Sequence, residues 1–202
     1  MRRFIYASVP TEGYKEIEKM GGKYIVRLEP TEGSDGSTSC YECMVDEEPD
    51  MDALRADLVV WKQYREERDL LAVKKEKEAE ILAYDSSPAV NSFEIRKGGE
   101  KVTDYWIDRD LRTSLEGDVI ACSSVSDTYK FDIREMGITL ELNCNKFLEA
   151  LANLRRYAYT AFNVTSQHIA AMKALETQEA VKGYDYTTGY PQKLSFDIEN
   201  LL

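Results

Sequence analysis

The chain has 202 residues, of which 43% are hydrophobic, and a formal net charge of −11 from 26 basic and 37 acidic residues. This composition is typical of a globular protein with one or two domains. An acidic surface repels phosphate groups, so neither nucleic acid nor an anionic membrane is expected as the main partner. The sequence has no apolar run of the roughly 20 residues that span a bilayer, and its N-terminal apolar run is too short for a signal peptide. We therefore expect the protein to stay in the cytoplasm where it is made.

Residues 1–48 are predicted to form a small β-rich module. Residues 14–20 are expected to form a short helix that ends at Gly21-Gly22. Residues 32–39 are rich in glycine, serine and aspartate, which favours a flexible loop. Runs of β-branched and aromatic residues predict strands over 4–9, 23–28 and 38–45.

A long helix is predicted over residues 49–84. Asp50 and Asp52 lie at its start, where carboxylates interact favourably with the positive end of the helix dipole. Residues 66–80 are mostly charged, with opposite charges three or four positions apart. This second half has little to bury, so we interpret the helix as a connector or as an element that pairs with copies of itself. The first half carries an apolar stripe of Met51, Leu54, Leu58 and Trp61.

Residues 85–202 are predicted to form an α+β domain in which antiparallel hairpins pack against long helices. One hairpin is expected to turn at Gly98-Gly99 and another at residues 134–137. A last strand is expected over 194–198. Helices are expected to start after Asp108, after Asn143 or Asn145, and after Thr177. The chain as a whole is therefore predicted to be α+β, with module 1–48, connecting helix 49–84 and domain 85–202.

Two stretches of the chain are similar, YDSSPAVNSFEI at 84–95 and YDYTTGYPQKLSFDI at 184–198. Each begins with Tyr-Asp at a predicted helix end and finishes in a predicted strand. We interpret them as two helix exits that deliver strands to one sheet, with the Phe and Ile side chains facing the core. A paired-carboxylate site built from Asp85 and Asp185 is the alternative, but aspartates in turns commonly bond their own backbone.

Cysteine and histidine give little support for a metal or catalytic site. Cys40 and Cys43 have the spacing of a zinc or redox pair, but a zinc site would need a second close pair, and Cys122 and Cys144 are far apart. Cys40 and Cys43 also lie in a predicted strand, where residues three apart face opposite sides. We interpret all four as reduced, packed thiols, and His168, the single histidine, as a surface or packing residue rather than a base.

Other motifs for chemistry are missing from the sequence. There is no glycine-rich dinucleotide or phosphate loop and no nucleophile elbow. The acidic run 46–52 lacks the glycine and the ligand spacing of an EF-hand loop, and a helix start explains the same residues. The sequence therefore predicts no catalytic, cofactor-binding or metal-binding residue.

Four segments of the C-terminal half carry a resemblance: YDSSPAVNSF, DYWIDRDLRTSL, YAYTAFNVTSQHIAAMKAL and YDYTTGYPQKLSF. Together, over roughly 76–198, they resemble a phage and prophage domain of unknown function that is often encoded near tail-fibre genes. The first half is similar to small proteins of Bacteroides-type prophages. The resemblance implies a structural or assembly role in a virion or tail fibre, and it supplies no catalytic residue.

On this basis we expect a non-enzymatic protein that forms homo-oligomers and binds other phage structural proteins, in the virion or in the host cytoplasm during assembly. Two alternatives remain: a small regulatory or anti-defence protein that binds a host factor, and a carbohydrate-active tail enzyme. The residues expected at interfaces are Leu54, Leu58, Trp61, Tyr64, Tyr184, Tyr186 and Tyr190.

Overall fold

A computed structural model describes residues 2–133 and 137–202 of the chain. It contains both helices and strands, which confirms the α+β class. The chain divides into two compact units, Met1–Ala72 and Val73–Leu202. The division falls inside the long helix α1 (Met51–Asp85), so each unit includes part of that helix. The three-part division at 48 and 84 stays a prediction.

The first unit contains a four-stranded antiparallel sheet with the strand order β1-β4-β3-β2. A single 3₁₀ turn, Thr11–Gly13, follows the first strand. The strands are β1 (Ile5–Pro10), β2 (Ile17–Met20), β3 (Lys23–Glu32) and β4 (Ser37–Val45). The loop between β3 and β4 is shorter than predicted because both strands extend into it.

The prediction of a helix over 14–20 is wrong, because β2 occupies its second half. β2 and β3 form a hairpin in which Met20 pairs with Lys23. Gly21 and Gly22 have φ angles of 59° and 84°, and a tight hairpin turn of the favoured hand needs positive φ at both central residues. The two glycines therefore make a hairpin turn rather than end a helix.

The core of the first unit lies between the sheet and the first part of α1. The carboxylate of Asp50 accepts hydrogen bonds from the backbone N–H groups of Asp52 and Ala53, both at 3.1 Å, which caps the helix as predicted. The apolar stripe of α1 then packs on one face of the sheet. The buried residues of this core are Phe4, Val26, Leu28, Cys43, Leu54, Leu58 and Trp61.

The second unit contains a three-stranded sheet, a separate hairpin and four helices that follow α1. The three-stranded sheet has the order β6-β5-β9 and the hairpin pairs β7 with β8. The strands are β5 (Phe93–Lys97), β6 (Glu100–Tyr105), β7 (Thr128–Ile133), β8 (Ile138–Asn143) and β9 (Ser195–Asp197). The helices are α2 (Arg109–Ser123), α3 (Cys144–Lys173), α4 (Gln178–Lys182) and α5 (Ile198–Leu201).

Three helices of the second unit start at capping residues that the sequence predicted. The side chains of Asp108, Asn143 and Thr177 each accept a hydrogen bond from a backbone N–H group three residues on, at 2.8, 3.2 and 3.2 Å. Such caps satisfy N–H groups that have no partner inside the helix. The turn at 134–137 between β7 and β8 lies outside the described residues, apart from Gly137.

The two similar stretches deliver neighbouring strands, as predicted. β5 and β9 pair in parallel, with Ile95 opposite Phe196. The rings of Phe93 and Phe196 meet edge to face with centroids 5.3 Å apart. Phe93, Ile95 and Ile198 are buried in the core that α2, α3 and the hairpins enclose. The internal similarity is therefore a shared way of entering one sheet.

Candidate functional site

The first strand of the sheet, β1, leaves one backbone edge without a partner strand among the described residues. β1 pairs with β4 on one side only. Its sequence, IYASVP, carries no charged residue, whereas the opposite edge strand β2 is shorter and carries Glu18 and Lys19. Charged side chains and short length are devices that protect sheet edges from pairing with other chains. β1 has no charged residue and is the longer strand, and among its six residues only Pro10 lacks an N–H group, so its edge is the more open of the two.

A groove of about 550 Å³ runs between this edge and helix α1. Residues 2–6 line one side, and Trp61, Tyr64, Arg65 and Arg68 line the other. Successive side chains of a strand point to opposite faces of a sheet. Residues 2–4 precede β1, and Ile5 and Tyr6 are its first two residues, so the groove lies at the start of the β1 edge. We call this feature the β1–α1 groove.

Aromatic rings form much of the wall of the β1–α1 groove. Trp61 meets Phe4 and Tyr41 edge to face, with ring centroids 5.8 and 5.9 Å apart, and Tyr41 meets Tyr6 at 5.1 Å. Phe4 and Trp61 are buried, which fixes the base of the stack, whereas Tyr6 and Tyr64 are 63% and 51% exposed. Tyr6 thus stands on a packed aromatic base through Tyr41, and Tyr64 adds a second exposed ring to the groove.

The groove is rich in positive charge although the protein is acidic. Arg2, Arg3, Arg65 and Arg68 all line it. Arg65 and Arg68 share a single carboxylate, that of Asp69, at 3.8 and 3.1 Å. The ion pairs of exposed side chains are weak and screened by salt, so these guanidinium groups can turn to a ligand at little cost.

The other two arginines lie at the start of β1. Arg2 pairs with Asp57 at 3.5 Å, and both side chains are about half exposed. Arg3 is exposed and makes no ion pair with any residue that the structure describes. The guanidinium of Arg65 also lies 5.1 Å from the centre of the Trp61 ring, which holds it beside the aromatic wall.

A buried ion-pair network lies on the other face of the same sheet. Arg27 binds Glu42 at 2.9 Å and Glu18 at 3.0 Å. Burial alone would lower the pKa of Arg27, but its hydrogen bonds to Glu18 and Glu42 outweigh burial and raise that pKa. Because its charge is matched inside the unit, Arg27 is a structural residue and leaves no charge for a ligand.

A second polar cluster lies in the second unit, around Thr165 on α3. The Thr165 hydroxyl donates to the Asp85 carboxylate at 2.7 Å and lies 2.9 Å from the Tyr190 hydroxyl. Burial raises the pKa of Tyr190. The nearby His168 ring lies 2.9 Å from the Tyr184 hydroxyl and 2.9 Å from the carbonyl oxygen of Thr188. Both ring nitrogens of His168 are thus occupied, as expected for a packing residue.

The paired aspartates of the two similar stretches have separate partners. Asp185 accepts hydrogen bonds from the backbone N–H and the hydroxyl of Thr187 at 2.9 and 2.8 Å, a turn that closes on its own backbone as predicted. These bonds, the backbone one first, lower the pKa of Asp185. Asp85 instead binds Thr165 on another helix. The expectation that Asp85 bonds its own turn is therefore wrong.

The residues expected at interfaces divide into two groups. Leu54, Leu58 and Trp61 are 0%, 1% and 7% exposed, so the core of the first unit uses them and they are not presented on its surface. Tyr64 is half exposed and lines the β1–α1 groove. The tyrosines of the tail are partly buried within the second unit: Tyr186 and Tyr190 pack against Tyr84 at the end of α1, and Tyr184 contacts His168 on α3.

The four cysteines are free thiols. Cys40 and Cys43 are buried on opposite faces of β4, and burial raises the pKa of both. Within residues 2–133 and 137–202, no group of three or more histidine, cysteine, aspartate or glutamate side chains is arranged to hold a metal ion. The described part of the chain also has no helix both long and apolar enough to cross a bilayer.

The arginines of the groove are candidate functional residues that the sequence analysis missed. Arg65 lies four residues after Trp61, and Arg68 lies three residues after Arg65, which places them on one helix face, and Arg2 and Arg3 precede an uncharged strand. These two signals are visible in the sequence, but only the fold brings them to one groove.

Comparison with known proteins gives no relative for this chain. No family model matches it, and neither a curated protein nor a solved structure does so. The β1–α1 groove is therefore interpreted from its own geometry.

Proposed function

We propose that this protein works by binding other proteins, as a non-enzymatic structural or assembly component of a phage virion or tail fibre. The observation that carries the proposal is the open, uncharged edge of β1 beside a groove with exposed tyrosines. An unprotected strand edge offers a row of backbone N–H and C=O groups to a strand from another chain. Exposed aromatic side chains add contact area at low entropic cost.

Apolar residues on the same unit support contacts with protein rather than with a small solute. Met20 and Met44 are each 61% exposed, and Ile5 is 50% exposed. Methionine adapts its shape to different partners because its side chain is flexible and polarizable. These exposed apolar side chains add to the contact area that the first unit can offer to another protein.

The phage context rests on the resemblance of residues 76–198 to a tail-fibre-associated domain. In that region the side chains form a large buried core. We infer that the second unit is a stable body and that the first unit, which carries the open edge, binds the partner. Partners in this setting are other phage structural proteins and further copies of the chain.

Size-exclusion chromatography with light scattering tests the proposal, using the purified protein alone and mixed with the products of neighbouring genes. We expect a self-associated species or a complex with a tail component. The variant Tyr6→Lys places a charge on the open edge and should weaken the complex by roughly tenfold or more. Tyr159→Lys is the matched control, because Tyr159 is 66% exposed on α3 in the other unit.

A strict monomer that binds no phage component at high concentration would contradict the proposal. A complex with a host enzyme in place of a virion protein would favour the regulatory alternative. Mass spectrometry of purified virions then shows whether the protein remains in the finished particle.

A further inference from the structure

We propose that the β1–α1 groove binds an extended acidic segment of a partner protein, which pairs with β1 as an additional strand while its carboxylates contact the arginines of the groove. This inference rests on the proposed function and specifies the chemistry of the partner. It follows from three properties of the groove: a free backbone edge, an aromatic wall and an excess of positive charge.

The free edge sets the conformation of the ligand. In a strand, alternate residues direct their N–H and C=O groups to one side, so those of β1 that do not face β4 face outward. A chain that satisfies them must itself be extended. β1 spans Ile5–Pro10, and Pro10 has no N–H to donate, so the added strand pairs mainly with residues before it.

The aromatic wall sets where side chains of the ligand can lie. An added strand points every second side chain toward α1 and the others away from it. The side chains on the α1 side meet Tyr6 and Tyr64, which are exposed in the groove that the buried Trp61 also lines. The ligand therefore places small or apolar side chains against these rings and leaves the ends of the groove to charged groups.

The arginines set the charge of the ligand. Arg2 and Arg3 stand at one end of the groove and Arg65 and Arg68 on its helical wall. Arg2 pairs with the exposed Asp57, and Arg65 and Arg68 share the exposed Asp69. Guanidinium groups bind carboxylates through two parallel hydrogen bonds, which adds direction to the attraction.

The rest of the chain strengthens the preference for this groove. With a net charge of −11 the protein repels an acidic segment from most of its surface, so the segment is steered to the local positive site. A phosphate backbone would also be attracted by arginine. It cannot, however, supply the alternating N–H and C=O groups that the β1 edge requires, so a peptide fits the whole groove better.

Fluorescence anisotropy with labelled peptides of about eight residues, a typical strand length, tests the inference. The main probe is an end-blocked peptide with valines at its centre and glutamates at both ends. Three further probes are the lysine–valine analogue, the glutamate–valine peptide methylated on alternate backbone nitrogens, and a single-stranded oligothymidine of equal length. We expect saturable binding of the first probe, with the other three weaker by roughly tenfold or more.

Two double variants test the location of binding. Arg65→Glu/Arg68→Glu should weaken the first probe by roughly tenfold or more, because it reverses two of the groove charges. Arg155→Glu/Arg156→Glu is the matched control, since both residues are exposed on α3 in the other unit, and should change affinity less than about twofold. Circular dichroism confirms that both variants are folded.

Each contrary result has a distinct meaning. Equal binding of the methylated peptide would overturn strand addition, and equal binding of the lysine peptide would overturn the charge rule. Tighter binding of oligothymidine would make the groove a nucleic-acid site and overturn the inference. If the wild-type protein ignores the acidic peptide yet binds a tail component, this inference fails and the proposed function stands. Pairing of β1 with a second copy, seen as dimers that the acidic peptide does not dissociate, would also overturn it.

Discussion

The two units of the chain use their polar and aromatic side chains for different purposes. In the first unit, α1 covers one face of the sheet and leaves the β1 edge, two tyrosines and four arginines open. In the second unit, tyrosine, threonine and histidine side chains bind the chain's own loops and helix ends. The β1–α1 groove of the first unit thus leaves aromatic and basic side chains exposed, whereas Tyr157, Thr165 and His168 of the second unit hold its own chain together.

The largest expected effect is on the stability of the first unit, whose buried core is smaller than that of the second unit. Leu54 is fully buried in the first unit, so Leu54→Ala should lower the free energy of unfolding of that unit by about 2–5 kcal/mol. Hydrogen exchange would show this as lost protection in β1–β4 and smaller changes in β5–β9. Leu82→Ala is the control on the same helix, since Leu82 is 47% exposed and should change stability by less than about 0.5 kcal/mol. Equal loss of protection in both units would contradict the view that they respond separately.

A medium effect is expected in the polar cluster of the second unit. Thr165 is 3% exposed, and Thr165→Val keeps its shape while removing the hydroxyl that Asp85 and Tyr190 contact. Leaving these partners unsatisfied should cost about 1–3 kcal/mol in urea unfolding. Thr160→Val is the control, because the exposed Thr160 hydroxyl bonds only the carbonyl oxygen of Arg156 in its own helix. If both variants lose the same stability, the cluster has no special role.

A smaller effect that depends on pH is expected at Asp197. Its carboxylate accepts hydrogen bonds from the backbone N–H groups of Gly99 at 2.7 Å and Glu199 at 3.1 Å, and the bond from Gly99 is the main cause of its lowered pKa. A carboxyl whose folded pKa is lowered stabilises the fold above its unfolded pKa of about 3.9 and loses this contribution as pH falls through the folded value.

Thermal unfolding from pH 7 to pH 2 checks this expectation. Asp197→Asn should be less stable at pH 7 and should lose less stability on acidification than the wild type. Asp197→Glu keeps the charge but moves the carboxylate away from the Gly99 N–H, so we expect it to resemble Asp197→Asn. If it resembles the wild type instead, net charge and not this hydrogen bond sets the pH dependence.

The smallest effect concerns the thiols. Cys40 and Cys43 are buried and burial raises their pKa, so a thiol reagent should label partly exposed Cys122 first and these two only after unfolding. Mass spectrometry of partly labelled protein gives the order. Release of zinc on labelling would show that the pair binds metal and would contradict the interpretation as packed thiols.

Local signals in the sequence predicted most of the fold. The capping side chains of Asp108, Asn143 and Thr177 were identified because a helix start has a chemical requirement that few residues meet. The glycine pairs show the limit of such signals. Gly98-Gly99 was assigned to a hairpin and Gly21-Gly22 to a helix end, although both pairs have positive φ and both turn hairpins. Glycine permits several turns, and only the partner strand decides which one forms.

The β1–α1 groove could not be predicted because it joins distant parts of the chain. Arg2 and Arg3 reach Arg65 and Arg68 only after β1 has paired with β4 and α1 has packed on the sheet. The apolar stripe of α1 is present as predicted, but it packs into the core of its own unit and is not presented as an interface. Leu54 and Leu58 have the spacing of an interface and of a core alike, and the sheet of the same unit covers them.

The parallel pair of β5 and β9 has a consequence for synthesis on the ribosome. Residues 195–197 lie about a hundred positions after their partner strand β5. Of the two described strands that pair with β5, therefore, β6 alone is present until nearly all of the second unit has been translated. During this interval the side of β5 that later accepts β9 can pair with strands of other nascent chains. Slow translation of the α3 region would lengthen that interval and raise the risk of aggregation.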